Sequence, residues 1–137
     1  MARALRVLVV EDEMMIALML EDILADLGHE VAGVAMRLPQ AIELAKGVEA
    51  DIAILDINMP GMNGLEVLEK LQSSQPKTKV ILLTMHNEVS IFNRAKALNV
   101  KGYVLKEFST DVLEDCINAV LNNQTWFNPE QGSHLQM

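Results

Sequence analysis

Short apolar runs recur along the chain at Leu5 to Val10, Val31 to Val34, Ile52 to Leu55, Val80 to Leu83 and Tyr103 to Leu105. They are continuous rather than alternating, the pattern of strands buried on both faces and so of a parallel sheet covered by helices. Between them apolar residues fall at helical spacing, which predicts helices near 14–27, 39–46, 64–74, 88–98 and 109–122. Each β unit is followed by an α unit, so the fold class is α/β. Boundary residues agree with this division. Gly28 and Gly47 fall where the first two helices should stop, and Pro39 suits a first helical turn. Asn63 and Ser109 are suited to cap N-termini, and Asn99 to a left-handed stop. After Asn122 the stretch "NQTWFNPEQGSHLQM" loses its periodicity. This divides the chain into a domain over 1–122 and a tail, or linker remnant, over 123–137, in which Trp126 and Phe127 either fold back or begin a linker.

Composition narrows the classes. At 137 residues, half of them apolar, the chain suits one domain with a proper core. Its longest apolar run at a helix, Met14 to Leu20, is far short of the roughly 20 residues of a membrane span, and the Val7 to Val10 run is too short for a secretory signal. A cytoplasmic protein without membrane contact is expected. The one cysteine, Cys116, shares a helix face with Val112, Leu113, Ile117 and Val120 and reads as core. The three histidines have no ligand spacing, which argues against zinc. Charge is uneven: Met1 to Lys70 carries 13 acidic and 5 basic residues, and Leu71 to Met137 carries 6 of each. An acidic domain without basic runs is not expected to bind nucleic acid by itself.

Candidate chemistry lies just past the strands. In an open parallel sheet, ligands sit beyond the carboxyl ends of the strands where strand order reverses. There the first run is followed by Glu11, Asp12 and Glu13, the fourth by Thr84 and the fifth by Lys106. The third opens the stretch "AILDINMPGMNG", with Asp56 and Asn58 at a sudden change from apolar to turn residues. Carboxylates at Glu11, Asp12 and Asp56 crowded into one pocket repel by about 4 kcal/mol per close pair at an effective dielectric near 20. Lys106 relieves part of this, and oxygen-only ligands with open water positions suit Mg²⁺ for the rest. A carboxylate beside such a cation is a competent nucleophile toward a phosphoryl group, whose oxygens Thr84 and Lys106 would hold. Taken singly, Asp12 or Glu13 reads as a helix cap, Thr84 as a common strand-end residue and Lys106 as a surface charge.

Together, "VLVVEDE", "AILDINMPGMNGLEVL", "ILLT" and "GYVLK" resemble the receiver domain of bacterial two-component response regulators over about Leu5 to Leu121. The resemblance implies a flavodoxin-like, doubly wound (βα)5 fold with a five-stranded parallel sheet in the order 2-1-3-4-5. It also implies a phosphoacceptor at Asp56 and Mg²⁺ held by Asp12, Asp56 and the Asn58 carbonyl, with Glu11 helping through water. Lys106 would bridge to the phosphoryl group, Thr84 would swing toward it, and Tyr103 would change rotamer in concert. By the same resemblance, Asn58 and His86 occupy positions that in the family tune how water attacks the acyl phosphate. The implied partners are a histidine kinase or histidine phosphotransfer protein upstream, and a protein reading the helix 4, strand 5 and helix 5 face downstream. Up to about Asn58 the chain resembles stand-alone receivers, whereas "LLTMHNEVSIFNRAKALNVKGYVLKE" resembles receivers joined to helix-turn-helix transcription factors. Glu107 follows Lys106 where the family usually has proline, and a non-proline cis peptide costs about 2.5 to 4 kcal/mol, so the loop carrying Lys106 is expected to differ.

Other readings stand beside this one. The chain is an isolated receiver portion of a DNA-binding regulator, an aspartate-nucleophile phosphatase, or a pseudo-receiver working without phosphorylation. Such phosphatases place a second aspartate two residues after the nucleophile as general acid, where this chain has Asn58. Pseudo-receivers usually lack the aspartate or the lysine, and both are present. Extra apolar residues on the first helix, Met14, Met15 and Leu18, suit a homodimer face, a kinase-docking face or the edge of the core.

Overall fold

The computed structural model describes residues 5–47, 49–59, 64–85, 89–106 and 110–127. The expectations for Asn63, His86, Glu107 and Ser109 fall outside these. The elements run β1 (Arg6–Val10), α1 (Met14–Asp26), β2 (Glu30–Ala35), α2 (Leu38–Gly47), β3 (Ile52–Asp56) and α3 (Gly64–Ser74). They continue through β4 (Lys79–Thr84), α4 (Val89–Ala97), β5 (Gly102–Leu105), α5 (Thr110–Leu121) and β6 (Trp126–Phe127).

All strands are parallel in one sheet of order β2-β1-β3-β4-β5-β6. The continuous apolar runs are buried on both sides, as at Val7 to Val10, throughout β3 and from Val80 to Thr84. One core layer packs Val7, Val9, Ile54 and Ile81 against Leu20, Ile23 and Leu24 of α1 and Leu113, Cys116, Ile117 and Val120 of α5. The opposite layer packs Leu8, Val10, Leu55 and Leu82 against Ala41 of α2, Val67, Leu68 and Leu71 of α3, and Ala95 of α4. Cys116 is core, as its helical spacing implied. Among the described residues, no helix is long and apolar enough to cross a membrane.

Helix stops follow the expected chemistry. Gly28 adopts a φ of 83°, and its N–H and that of His29 return to the carbonyls of Ala25 and Leu24. Asn99 takes a φ of 65° after α4, with Val100 donating to Ala95. Both are left-handed caps, which glycine and asparagine tolerate best. Pro39 lies in the first turn of α2 and Gly47 is its last residue.

Among the described residues the sheet has six strands rather than five. Trp126 and Phe127 pair with Gly102 and Tyr103, and the Trp126 N–H donates to the Lys101 carbonyl at 2.8 Å. Of the two fates open to these aromatics, folding back is the one observed. Their apolar rings gain burial there, and the strand covers a β5 edge that would otherwise leave its backbone groups unpaired.

Candidate functional site

The sheet delivers its polar residues to one edge. β1 continues one residue past its last ladder position, because the Glu11 N–H donates to the Ala35 carbonyl at 2.9 Å. That bond directs Glu11 inward, where it is fully buried. Asp12 is half-buried, and Glu13 stands at the N-cap of α1. Glu13 does not cap the helix with its side chain. Its carboxylate instead lies 3.1 Å from the Lys106 ammonium.

Asp56 and Thr84 are the last residues of β3 and β4, and both are fully buried. The Asn58 N–H donates to Asp56 Oδ1 at 2.8 Å, an Asx turn that fixes the carboxylate at the mouth of its strand. Asn58 Oδ1 accepts the N–H of Met85, tying the loop after β3 to the residue after Thr84. Gly64 begins α3, and a Cβ there would stand 2.5 Å from the Ile57 Cα. Only glycine allows the helix to begin this close to the Asp56 turn, which accounts for one of the two glycines in "PGMNG".

Lys106 follows β5, anchored by its N–H on the Thr84 carbonyl at 2.8 Å. Its ammonium reaches Asp56 Oδ2 at 2.9 Å, Glu13 Oε1 at 3.1 Å and Glu11 Oε2 at 3.3 Å, with only 7% of the side chain exposed. Burial opposes its charge, but the hydrogen bonds it donates to Asp56 and Glu13 and the charges of Asp56 and Glu11 outweigh it, keeping the ammonium charged beyond the usual lysine range. Glu11 goes the other way. Desolvation is the main cause pushing it up to about 8, aided by Asp56 and opposed by the Glu13 N–H and Lys106.

Carboxylate oxygens of Glu11, Asp12 and Asp56 lie within 4.8 Å of one another. Glu11 Oε1 is buried without a hydrogen-bond partner, so this cluster retains an acceptor that the described residues leave unsatisfied. Oxygen donors at this spacing, open on the Asp12 side, fit a hard divalent cation that keeps some of its water.

Glu11, Asp12, Asp56, Asn58, Thr84 and Lys106 therefore converge as the strand order implied, and His86 lies outside the described residues. Tyr103 is fully buried three residues before Lys106, with its ring 5.2 Å from that of Phe92 at 82°. Two features had no role assigned from sequence. Glu13 as a Lys106 partner was present only as the last letter of "EDE", and adjacent acids cannot be ranked by spacing. The Asn58 to Met85 bond joins positions 27 residues apart and leaves no local signal.

The response regulator receiver domain profile matches residues 7–118. Chemotaxis protein CheY of Thermotoga maritima is 31% identical over 115 residues, which cover 84% of this chain and 96% of its own. The chain belongs to the response regulator receiver domain family. Response regulator GacA of Pseudomonas aeruginosa is 30% identical over 134 residues, and this receiver spans 63% of that longer protein. Among solved structures, the isolated REC domain of RcsB from Salmonella enterica serovar Typhimurium superposes with a TM-score of 0.89 at 20% identity, covering 98% of this chain and all of that one. The fold is the flavodoxin-like receiver fold, and the domain is a signalling module of two-component systems.

Proposed function

We propose that this receiver takes a phosphoryl group onto Asp56 from a phosphohistidine of a histidine kinase or phosphotransfer protein. A carboxylate oxygen of Asp56 attacks phosphorus, the P–N bond breaks, and the freed imidazole leaves with its electron pair and takes a proton. Asp12, Asp56 and the Asn58 carbonyl would hold Mg²⁺, with Glu11 acting through water. The cation supplies neutralisation of phosphoryl charge. Lys106 exchanges its Asp56 oxygen for a phosphoryl oxygen, and the Thr84 hydroxyl donates to another. The modified aspartate adds charge and acceptor oxygens beside Lys106 and Thr84, favouring an arrangement the resting carboxylate does not. Moving a two-state face from 1:99 to 99:1 takes about 5.5 kcal/mol. Two or three charge-assisted hydrogen bonds at about 1.5 to 3 kcal/mol each reach that figure. Tyr103 and the α4–β5–α5 face would carry the change to a downstream protein. Asn58 and His86 would set how fast water regenerates the carboxylate.

One observation carries this reading: a fully buried aspartate 2.9 Å from a lysine ammonium, within reach of two further carboxylates. The phosphatase reading needs a general acid at position 58, and the Asn58 amide is too weak an acid for that, its Oδ1 accepting the Met85 N–H. Intact mass after incubation with acetyl phosphate provides the test. One phosphoryl group should be gained with Mg²⁺, and none without Mg²⁺ or in Asp56→Asn. An unchanged mass with Mg²⁺ would favour the pseudo-receiver.

A further inference from the structure

β6 occupies the outer edge of β5, and its two side chains enter opposite core layers. Trp126 packs with the α1 and α5 layer, and Phe127 with the α4 layer. The Phe127 ring lies 5.3 Å from Phe92 at 67° and 6.4 Å from Tyr103 at 38°. The Lys96 ammonium stands 5.3 Å from the Phe92 ring centre and 5.8 Å from that of Phe127. Tyr103 is the buried member of this cluster and lies in β5, the strand that Lys106 follows.

The hold on β6 is thin. Among the described residues it pairs through two, and the Trp126 indole Nε1 is buried with no hydrogen-bond partner. A buried donor without an acceptor favours any state in which it reaches water. Phe127 meets the Tyr103 ring in the position that the ring takes while Lys106 is paired with an unmodified Asp56. The response of Tyr103 proposed above would cost those contacts, and docking would then be selective for the unmodified site.

We propose that Trp126–Phe127 is a self-docked strap over the α4–β5–α5 face, held while Asp56 is unmodified and released when Asp56 carries a phosphoryl group. The strap rests on the phosphoacceptor reading above. It keeps the face covered until the site is charged, and an output partner competes with it for the β5 edge. Linkage makes the coupling reciprocal: a strap that prefers the unmodified site also disfavours the modified one.

Trp126 is the one tryptophan in the chain, so its emission reads the strap directly. Its ladder partner Gly102 is four residues from Lys106, about 13 Å of strand, so an ion at the site does not quench it by contact. The experiment records intact mass and Trp126 emission on the same full-length samples, with Mg²⁺ alone and with acetyl phosphate plus Mg²⁺. The adduct should shift emission to the red and expose the indole to acrylamide. Mg²⁺ alone, and Asp56→Asn under either condition, should not. Phe127→Ala should be red-shifted before any phosphoryl donor is added and should bind beryllofluoride, a phosphoryl mimic, roughly fivefold more tightly. Lys96→Gln, at an exposed position that leaves the core untouched, should shift emission the same way by less. An adduct with Trp126 emission unmoved would overturn the strap and leave the phosphoacceptor reading intact. No adduct would overturn both. Phe127→Ala and Lys96→Gln with wild-type emission would also overturn the strap.

Discussion

At the level of single residues, the site is an electrostatic balance held by one ammonium. Lys106 touches Glu11, Glu13 and Asp56. Lys106→Met removes that charge and leaves the cluster more negative. A divalent cation should therefore bind the variant roughly tenfold more tightly, a change of about 1.4 kcal/mol. Phosphoryl uptake should nevertheless fall at least about tenfold, because the variant lacks the donor that steadies the transferring group. Calorimetric titration with Mg²⁺ and the acetyl phosphate mass assay separate the two effects. Weaker Mg²⁺ binding in Lys106→Met would show that the lysine positions the carboxylates rather than competing with the cation for their charge. Most of this site could be read from residue order, because a strand end in a parallel sheet has a fixed address. Asp56, Thr84 and Lys106 each end a run that is unmistakably apolar. Glu13 was less readable, since three consecutive acids differ in role through rotation about one turn, which no spacing rule resolves.

At the level of elements, the strands and helices follow from patterning, and the departures come from contacts. The apolar runs were long enough to mark β1, β3, β4 and β5, whose neighbours bury them on both faces. β6 is two residues long, too short for any period, and exists only because the β5 edge and the Phe92 and Tyr103 rings receive it. The start of α3 was similarly visible as a turn but not as a close approach. Gly64→Ala tests that approach. Its Cβ would lie 2.5 Å from the Ile57 Cα and 2.6 Å from its Cβ, so α3 or the Asp56 turn must shift. A loss of about 1 to 3 kcal/mol in urea denaturation is expected, as for overpacking elsewhere. Because Ile57 follows Asp56, phosphoryl uptake should slow in the folded variant as well. Unchanged stability with slowed uptake would place the whole adjustment in the turn.

At the level of the whole molecule, the two core layers need not be equally firm, and Cys116 tests the one beneath α5. Its thiol is fully buried among Leu113, Ile117 and Val120, with Gly102 opposite it, where an added Cβ would lie 2.8 Å from the sulfur. Burial pushes the thiol up to about 12, so it stays neutral when an exposed cysteine would ionise. Only a thiolate attacks a disulfide reagent, so at pH 8 labelling of the folded domain should track the population in which α5 has left the sheet. For a domain of ordinary stability, about 5 to 15 kcal/mol, that population is of order 10⁻⁴ or less. Between about pH 9 and 12 the unfolded thiol gives up its proton while the folded one keeps it. The unfolded state then binds fewer protons, so stability present below pH 9 declines as pH rises through that window. The urea midpoint of wild type should fall relative to that of Cys116→Ala over this range, since the alanine variant lacks the titrating group. The strap sharpens the labelling test, because Trp126 packs against the same α5 layer. If releasing β6 only uncovers the edge, phosphorylation should move Trp126 and leave the labelling rate of Cys116 unchanged. If Cys116 labels faster in step with Trp126, α5 loosens together with the strap, and the output face would then open as one unit rather than by the loss of two residues.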